Sequence, residues 1–137
     1  MRKIKECKVE EIMSRDVVTV GKETTIRELK ELFEEHDFNA FPVVKGEKLI
    51  GIVTKLDLLK AFSMGRDFHR ADYWKLFAEN VGGVMREAVI SLRPEETLQT
   101  AVEYMVEFRL RSLPVVERKR LVGVISRKDV MECLEVD

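Results

Sequence analysis

Hydrophobic and polar positions follow two rhythms along this chain, and the order of those rhythms occurs twice. The β-branched runs Val17-Val18-Thr19-Val20 and Val89-Ile90-Ser91-Leu92 predict short strands, each behind a helical turn, Val9 to Met13 or Val81 to Met85. A helix follows the first strand. Ile26, Leu29, Phe33 and His36 recur at helical spacing behind Thr25 and Glu28, a pair that predicts a capping box. Leu98, Ala101, Val102, Met105 and Phe108 carry the same stripe in the second copy. Two apolar runs come next, Ala40 to Val44 and Leu49 to Val53, separated by the charged turn Lys45-Gly46-Glu47-Lys48; the counterpart turn is Glu117-Arg118-Lys119-Arg120. A connection this short forces an antiparallel hairpin. A closing helix is predicted from Lys55 to Met64 and again from Arg127 to Leu134.

The two copies superpose without a gap at an offset of 72 residues. Met13 falls on Met85, Val17 on Val89, Thr25 on Thr97, Pro42-Val43-Val44 on Pro114-Val115-Val116, Gly51 on Gly123 and Asp57 on Asp129. The expected fold class is therefore α/β (α+β), with two β-α-β-β-α repeats. A unit of about 50 residues buries too little apolar surface to be secure alone, so the repeats are expected to pack sheet to sheet about a pseudo-twofold axis. The expected divisions are an N-terminal segment 1–8, a first repeat 9–64, a connecting helix 65–80 and a second repeat 81–137. The connector is expected to be ordered, because Phe68, Tyr73, Trp74 and Phe77 recur at roughly helical spacing.

Composition removes several alternatives. The chain has 137 residues, 45% of them hydrophobic, enough for one compact core. No apolar run approaches the roughly 18 residues of a membrane span, and Met1 to Lys8 is too charged for a signal peptide. A soluble, cytoplasmic protein is expected. Its 24 basic and 25 acidic residues nearly cancel, which disfavours a nucleic-acid partner. Cys7 and Cys133 have neither zinc-site nor disulfide-framework spacing and are expected as free thiols.

The strings Phe41-Pro42-Val43-Val44, charged turn, Leu49-Ile50-Gly51-Ile52-Val53-Thr54-x-x-Asp57, and Leu113-Pro114-Val115-Val116, charged turn, Leu121-Val122-Gly123-Val124-Ile125-Ser126-x-x-Asp129, resemble the signature of the cystathionine-β-synthase-type (CBS) domain. The preceding Val-x-x-Ile-Met and Val-Val-Thr-Val segments match the start of that domain. The resemblance implies a tandem pair, a Bateman module, that senses AMP, ADP, ATP or, in some members, S-adenosylmethionine or NAD. It also implies a homodimer and an unknown regulated protein, with no catalytic cofactor.

The chemistry falls on Asp57 and Asp129. An ionised carboxylate can accept hydrogen bonds from both hydroxyls of a ribose, and each aspartate sits one turn into its closing helix behind Thr54 or Ser126. A plainer alternative stands beside this: Thr54 and Ser126 are N-caps, and the aspartates are helix-start charges. The resemblance implies that one cleft joins Ile52, Thr54 and Asp57 with Val89, Ile90, Leu110, Arg111 and Ser112. It implies that the other joins Val124, Ser126 and Asp129 with Val17, Val18, Phe38, Asn39 and Ala40. Arg111 suits a phosphate, whereas its counterpart Asn39 is neutral, so the first cleft is the better expectation for a phosphorylated ligand. Lys55, Arg127 and Lys128 are either helpers or ordinary solvated helix charges. Gly51 and Gly123 mark either a close backbone approach or a bulge.

No His, Cys or carboxylate set has metal-ligand or nucleophile–base spacing. His36 and His69 are expected to be structural, and Tyr73, Trp74 and Phe77 to pack. A sensor module without enzymatic activity is expected. The alternatives are a structural or oligomerising module with empty clefts and, more remotely, a small nucleotide hydrolase.

Overall fold

The computed structural model of the chain describes residues 4–63 and 79–134. The expected connecting helix, with its aromatic residues and His69, lies outside the described residues but for its last two positions. In chain order the elements are α1 (Val9–Ile12), α2 (Ile26–Glu35), β1 (Ala40–Lys45), β2 (Lys48–Thr54), α3 (Lys55–Phe62), a 3-10 turn (Val81–Gly83), α4 (Leu98–Glu107), β3 (Ser112–Glu117), β4 (Arg120–Ser126) and α5 (Arg127–Cys133). The fold is mixed α/β, with β1 and β2 paired antiparallel and β3 and β4 paired in the same way.

Contacts divide the chain into two compact units, Val18–Val89 and Ile90–Asp137 together with Met1–Val17. In the first, Ile26, Leu29 and Phe33 of α2 bury against Phe41 and Val43 of β1, Val53 of β2 and Leu58 of α3. The rings of Phe33 and Phe41 lie 4.7 Å apart. Each such side chain contributes roughly 1.5–3 kcal/mol through burial. The predicted cap is present: Thr25 Oγ1 accepts from the Glu28 N–H at 3.1 Å, and the Glu28 carboxylate accepts from the Thr25 N–H at 3.4 Å. The second unit repeats the scheme with Leu98, Ala101 and Met105 of α4 against Leu113, Val115, Ile125 and Val130.

Each unit is completed by the leading turn of the other repeat. Cys7, Val9 and Met13 belong to the core that holds α4, β3 and β4, and the Val9 N–H donates to the Glu96 carbonyl at 2.7 Å. Val81 belongs to the core of α2, β1 and β2, and its N–H donates to the Thr24 carbonyl at 2.8 Å. Hydrophobic periodicity reports that such a turn buries a face, not which partner buries it.

The expected first strand of each repeat contracts to one bridged residue. The Val20 N–H donates to the Pro42 carbonyl at 3.0 Å, and the Val44 N–H to the Val20 carbonyl at 2.9 Å. Leu92 does the same with Pro114 and Val116. Pro42 and Pro114 offer no N–H, so no ladder bond can form at those residues from their own nitrogen.

Gly51 and Gly123 combine both alternatives. The register shifts beside each, so that Val43 faces Gly51 while Val44 faces Leu49, and likewise Val115 faces Gly123 while Val116 faces Leu121. A backbone also closes on each glycine. A Cβ at Gly51 would lie 2.8 Å from the Arg86 carbonyl oxygen, and one at Gly123 would lie 2.9 Å from that of Ser14 and 2.6 Å from Met13 Sδ. Gly123→Ala and Gly51→Ala are expected to lower stability by about 1–3 kcal/mol each. Gly83→Ala, with nothing within 4 Å of its Cβ, is expected to change it by less than about 0.5 kcal/mol. Urea denaturation of the three variants checks the contrast.

Candidate functional site

At the end of β2 the extended backbone of Thr54 passes directly into α3, and the junction is closed by two reciprocal bonds. Thr54 Oγ1 accepts from the Asp57 N–H at 3.1 Å, while Asp57 Oδ2 accepts from the Thr54 N–H at 2.9 Å. The junction of β4 with α5 is built identically: Ser126 Oγ accepts from the Asp129 N–H at 3.1 Å and Asp129 Oδ2 accepts from the Ser126 N–H at 2.8 Å. The plainer alternative of capping is therefore realised twice. Capping does not exhaust the chemistry, because each cap engages one carboxylate oxygen and fixes the direction of the other.

The fate of that second oxygen differs between the units. Asp57 is the buried charged residue among those described, 5% exposed, and its Oδ1 accepts from Arg86 Nε at 3.0 Å. Arg86 is held there by its backbone, since its N–H donates to the Ile52 carbonyl at 2.8 Å and its carbonyl accepts from the Ile52 N–H at 2.9 Å. The Arg86 side chain is 51% exposed. In the other unit Ser14 takes the place of Arg86: it exchanges backbone bonds with Val124, both at 2.9 Å. Asp129 is half-buried, and its Oδ1 has no hydrogen-bond partner among the described residues.

The sequence reading did not single out Arg86. Its signal was present in the offset of 72, which sets Arg86 against Ser14 immediately after the matched methionines. What was missing is the strand-like pairing that carries this residue beside β2.

The other candidates sort by unit. Phe38, Asn39 and Ala40 lie with Thr54 and Asp57: Ala40 faces Thr54 across the hairpin, and the Asn39 carbonyl accepts from the Lys55 N–H at 3.0 Å. Leu110, Arg111 and Ser112 lie with Ser126 and Asp129: Ser112 faces Ser126, and the Arg111 carbonyl accepts from the Arg127 N–H at 3.0 Å. Each pre-proline segment thus adjoins the hydroxyl–aspartate turn of its own repeat. Of the companions expected for Asp57, Val89 shares its unit, whereas Ile90, Leu110, Arg111 and Ser112 belong to the other; of those expected for Asp129, Val17 shares its unit and Val18 does not. Ile52 and Val124 present half-buried side chains, but their backbone groups are taken by Arg86 and Ser14. Val17, Val18, Val89 and Ile90 are all half-buried.

Of the basic residues beside the motifs, Arg127 spends its Nε on the Leu110 carbonyl at 2.8 Å, while Lys55 and Lys128 are exposed. His36 ends α2 and stacks on Phe38 with ring centroids 5.3 Å apart. Cys7 is buried and Cys133 half-buried. Among the described residues no group of three His, Cys, Asp or Glu side chains could hold a metal ion. No described helix is long and apolar enough to cross a membrane.

Comparison with known proteins agrees with the motif. The CBS domain family matches residues 9–64 and 81–136. The inosine-5'-monophosphate dehydrogenase of Korarchaeum cryptofilum is 34% identical over 128 residues, which is 90% of this chain and 23% of that enzyme. The chain thus spans less than a quarter of this curated relative. The crystal structure of a putative acetoin utilization protein (AcuB) from Vibrio cholerae is 31% identical and superposes with a TM-score of 0.80, covering 92% of this chain and 88% of that one. The protein CBSX2, crystallised in complex with AMP, has the same fold at 24% identity, with a TM-score of 0.79 over 93% of this chain and 95% of that one.

The caps carry a consequence for stability that needs no ligand. Thr54→Ala and Ser126→Ala are each expected to lower stability by about 1 kcal/mol. Chemical denaturation without added nucleotide measures it, and an unchanged midpoint in both variants would count against the cap geometry.

Proposed function

The chain belongs to the CBS-domain family, and from that premise we propose that it is a sensor that binds an adenosine-containing small molecule at its hydroxyl–aspartate turns. The CBS pair is a regulatory module rather than a catalytic one. The observation that carries the proposal is the carboxylate of Asp129, held by its own cap so that Oδ2 is occupied and Oδ1 is aimed and without a partner among the described residues. A ribose offers two adjacent hydroxyl donors, which suit an anchored carboxylate. AMP, ADP and ATP are the first ligands to consider, followed by S-adenosylmethionine and NAD. In this reading the half-buried Ile52 and Val124, with Phe38 and Ala40 beside one turn and Leu110 beside the other, offer the apolar side chains that flank the purine.

Binding regulates by favouring one arrangement of the protein over another, and a ligand shifts that balance only by its difference in affinity for the two. The regulated protein is a further partner in this reading. A second reading, an assembly module with empty sites, draws on one specific observation: Asp57 is already neutralised by Arg86. The two readings separate on ligand binding.

A homodimer is part of the proposal. Leu59 of α3 and Met131 of α5, which coincide at the offset of 72, are 62% and 67% exposed. Leu56 on α3 and Leu134 just beyond α5 are exposed as well. Two large apolar side chains at repeat-matched positions suit a self-complementary contact.

Thermal unfolding in a panel of AMP, ADP, ATP, NAD and S-adenosylmethionine is expected to shift upward with at least one member. At 100 times the dissociation constant the gain is about 2.7 kcal/mol. A flat response across the panel, with no small molecule released from the natively purified protein in mass spectrometry, would favour the empty-site reading. Sedimentation analysis is expected to give a dimer for the unaltered chain and a monomer for Leu59→Glu/Met131→Glu; an unchanged sedimentation coefficient would remove α3 and α5 from the contact.

A further inference from the structure

Two repeats with the same capped aspartate carry different residues at the position paired with Ile52 or Val124, Arg86 in one unit and Ser14 in the other. The difference bears on what each carboxylate can accept. Asp57 Oδ1 is bonded to Arg86 Nε at 3.0 Å in a position where the carboxylate is 5% exposed, so the guanidinium is a resident occupant of the oxygen that a sugar hydroxyl needs. Asp129 Oδ1 has no such occupant among the described residues.

We propose that Arg86 gates the Asp57 carboxylate and makes that half of the module selective for phosphorylated adenosine ligands, whereas the Asp129 half accepts phosphorylated and unphosphorylated nucleosides alike. The inference deepens the sensor reading and rests on it. A sugar diol that takes Asp57 must displace a cation tethered in the same unit, which competes at a high effective concentration. The diol is neutral, so the exchange leaves a buried carboxylate without its counter-charge. A ligand that carries its own phosphate changes that balance. The Arg86 side chain is half exposed even when paired, its terminal nitrogens have no partner among the described residues, and its planar donors match a phosphate. An unphosphorylated nucleoside supplies no anion, and Arg86 returns to Asp57. At the Asp129 half the residue in the matching position is a serine, and neither the competitor nor the phosphate partner is present at that place.

Titration calorimetry with AMP and adenosine as the two probes tests this. Asp129→Asn isolates the Asp57 half, and Asp57→Asn isolates the Asp129 half. With Asp129→Asn the full chain is expected to bind AMP at least tenfold more tightly than adenosine; with Asp57→Asn the two are expected to differ by less than threefold. Adding Arg86→Ser to Asp129→Asn copies the residue that the other unit tolerates, and is expected to tighten adenosine and bring the AMP-to-adenosine ratio down to that of the Asp57→Asn protein. Arg86→Gln, which keeps a neutral donor beside Asp57, serves as a second variant should the serine form unfold, and is expected to lower the ratio in the same direction. A ratio that survives both Arg86 replacements, or adenosine binding no tighter without the guanidinium, overturns the gate while leaving the sensor reading intact. No heat with either probe in the unaltered chain or any variant also overturns the gate, and the sensor reading then stands or falls on the five-member thermal panel.

Discussion

A pair of hydrogen bonds at the start of each closing helix sets what the rest of the molecule can do with its aspartates. The hydroxyl of Thr54 or Ser126 takes the N–H of the aspartate three residues on, and the aspartate returns one oxygen to the N–H of the hydroxyl residue. This exchange satisfies helix donors that would otherwise be unpaired, which is its structural purpose. It also immobilises a carboxylate that would sweep several rotamers on a solvated helix. An aspartate held in this way has one oxygen spent and one oxygen aimed. Stability and recognition therefore draw on the same two residues, and the cap orients the binding group rather than competing with it.

The setting of those caps depends on how the chain distributes its leading turns. Each turn leaves its own repeat and completes the core of the other, and the residue after it pairs with Ile52 of β2 or Val124 of β4, next to a glycine. The glycine is required because the backbone of Arg86 or Ser14 comes closer than a Cβ would allow. The residue after the matched methionine is thereby placed one strand away from the capped aspartate. A surface position in the sequence becomes a neighbour of the site.

Most of the fold was legible because it rests on local chemistry. The hairpins, the Thr25–Glu28 capping box and the apolar stripes of α2 and α4 follow from spacing and residue type alone, and the structure reproduces them within a residue or two. The leading strands were less so. Val17 to Val20 has the composition of a strand, but pairing is a property of the neighbour, and the neighbour at Pro42 lacks a donor. The turn between β3 and β4 carries no glycine or asparagine, yet Arg118 and Lys119 both adopt positive φ, 51° and 70°, because the twist of the hairpin demands it. Of the candidate site, the two aspartates and their hydroxyl partners were readable from the repeat; the ion pair of Asp57 with Arg86 was not, since it joins positions 29 apart through a pairing that no periodicity encodes.

Duplication gives a module two copies of one site, and with identical copies a graded response would need some other source of difference. Here the backbone of the two junctions is held nearly fixed, with cap distances that agree to within 0.1 Å. Geometry thus leaves little room for the halves to diverge, and charge is where they do. A single side chain beside an already anchored carboxylate changes which species can approach it, without altering the strand, the helix or the cap that hold the carboxylate in place. The repeat keeps its frame through the reciprocal bonds of Thr54 with Asp57 and of Ser126 with Asp129, and it varies at a position whose backbone is paired but whose side chain is not needed by the core.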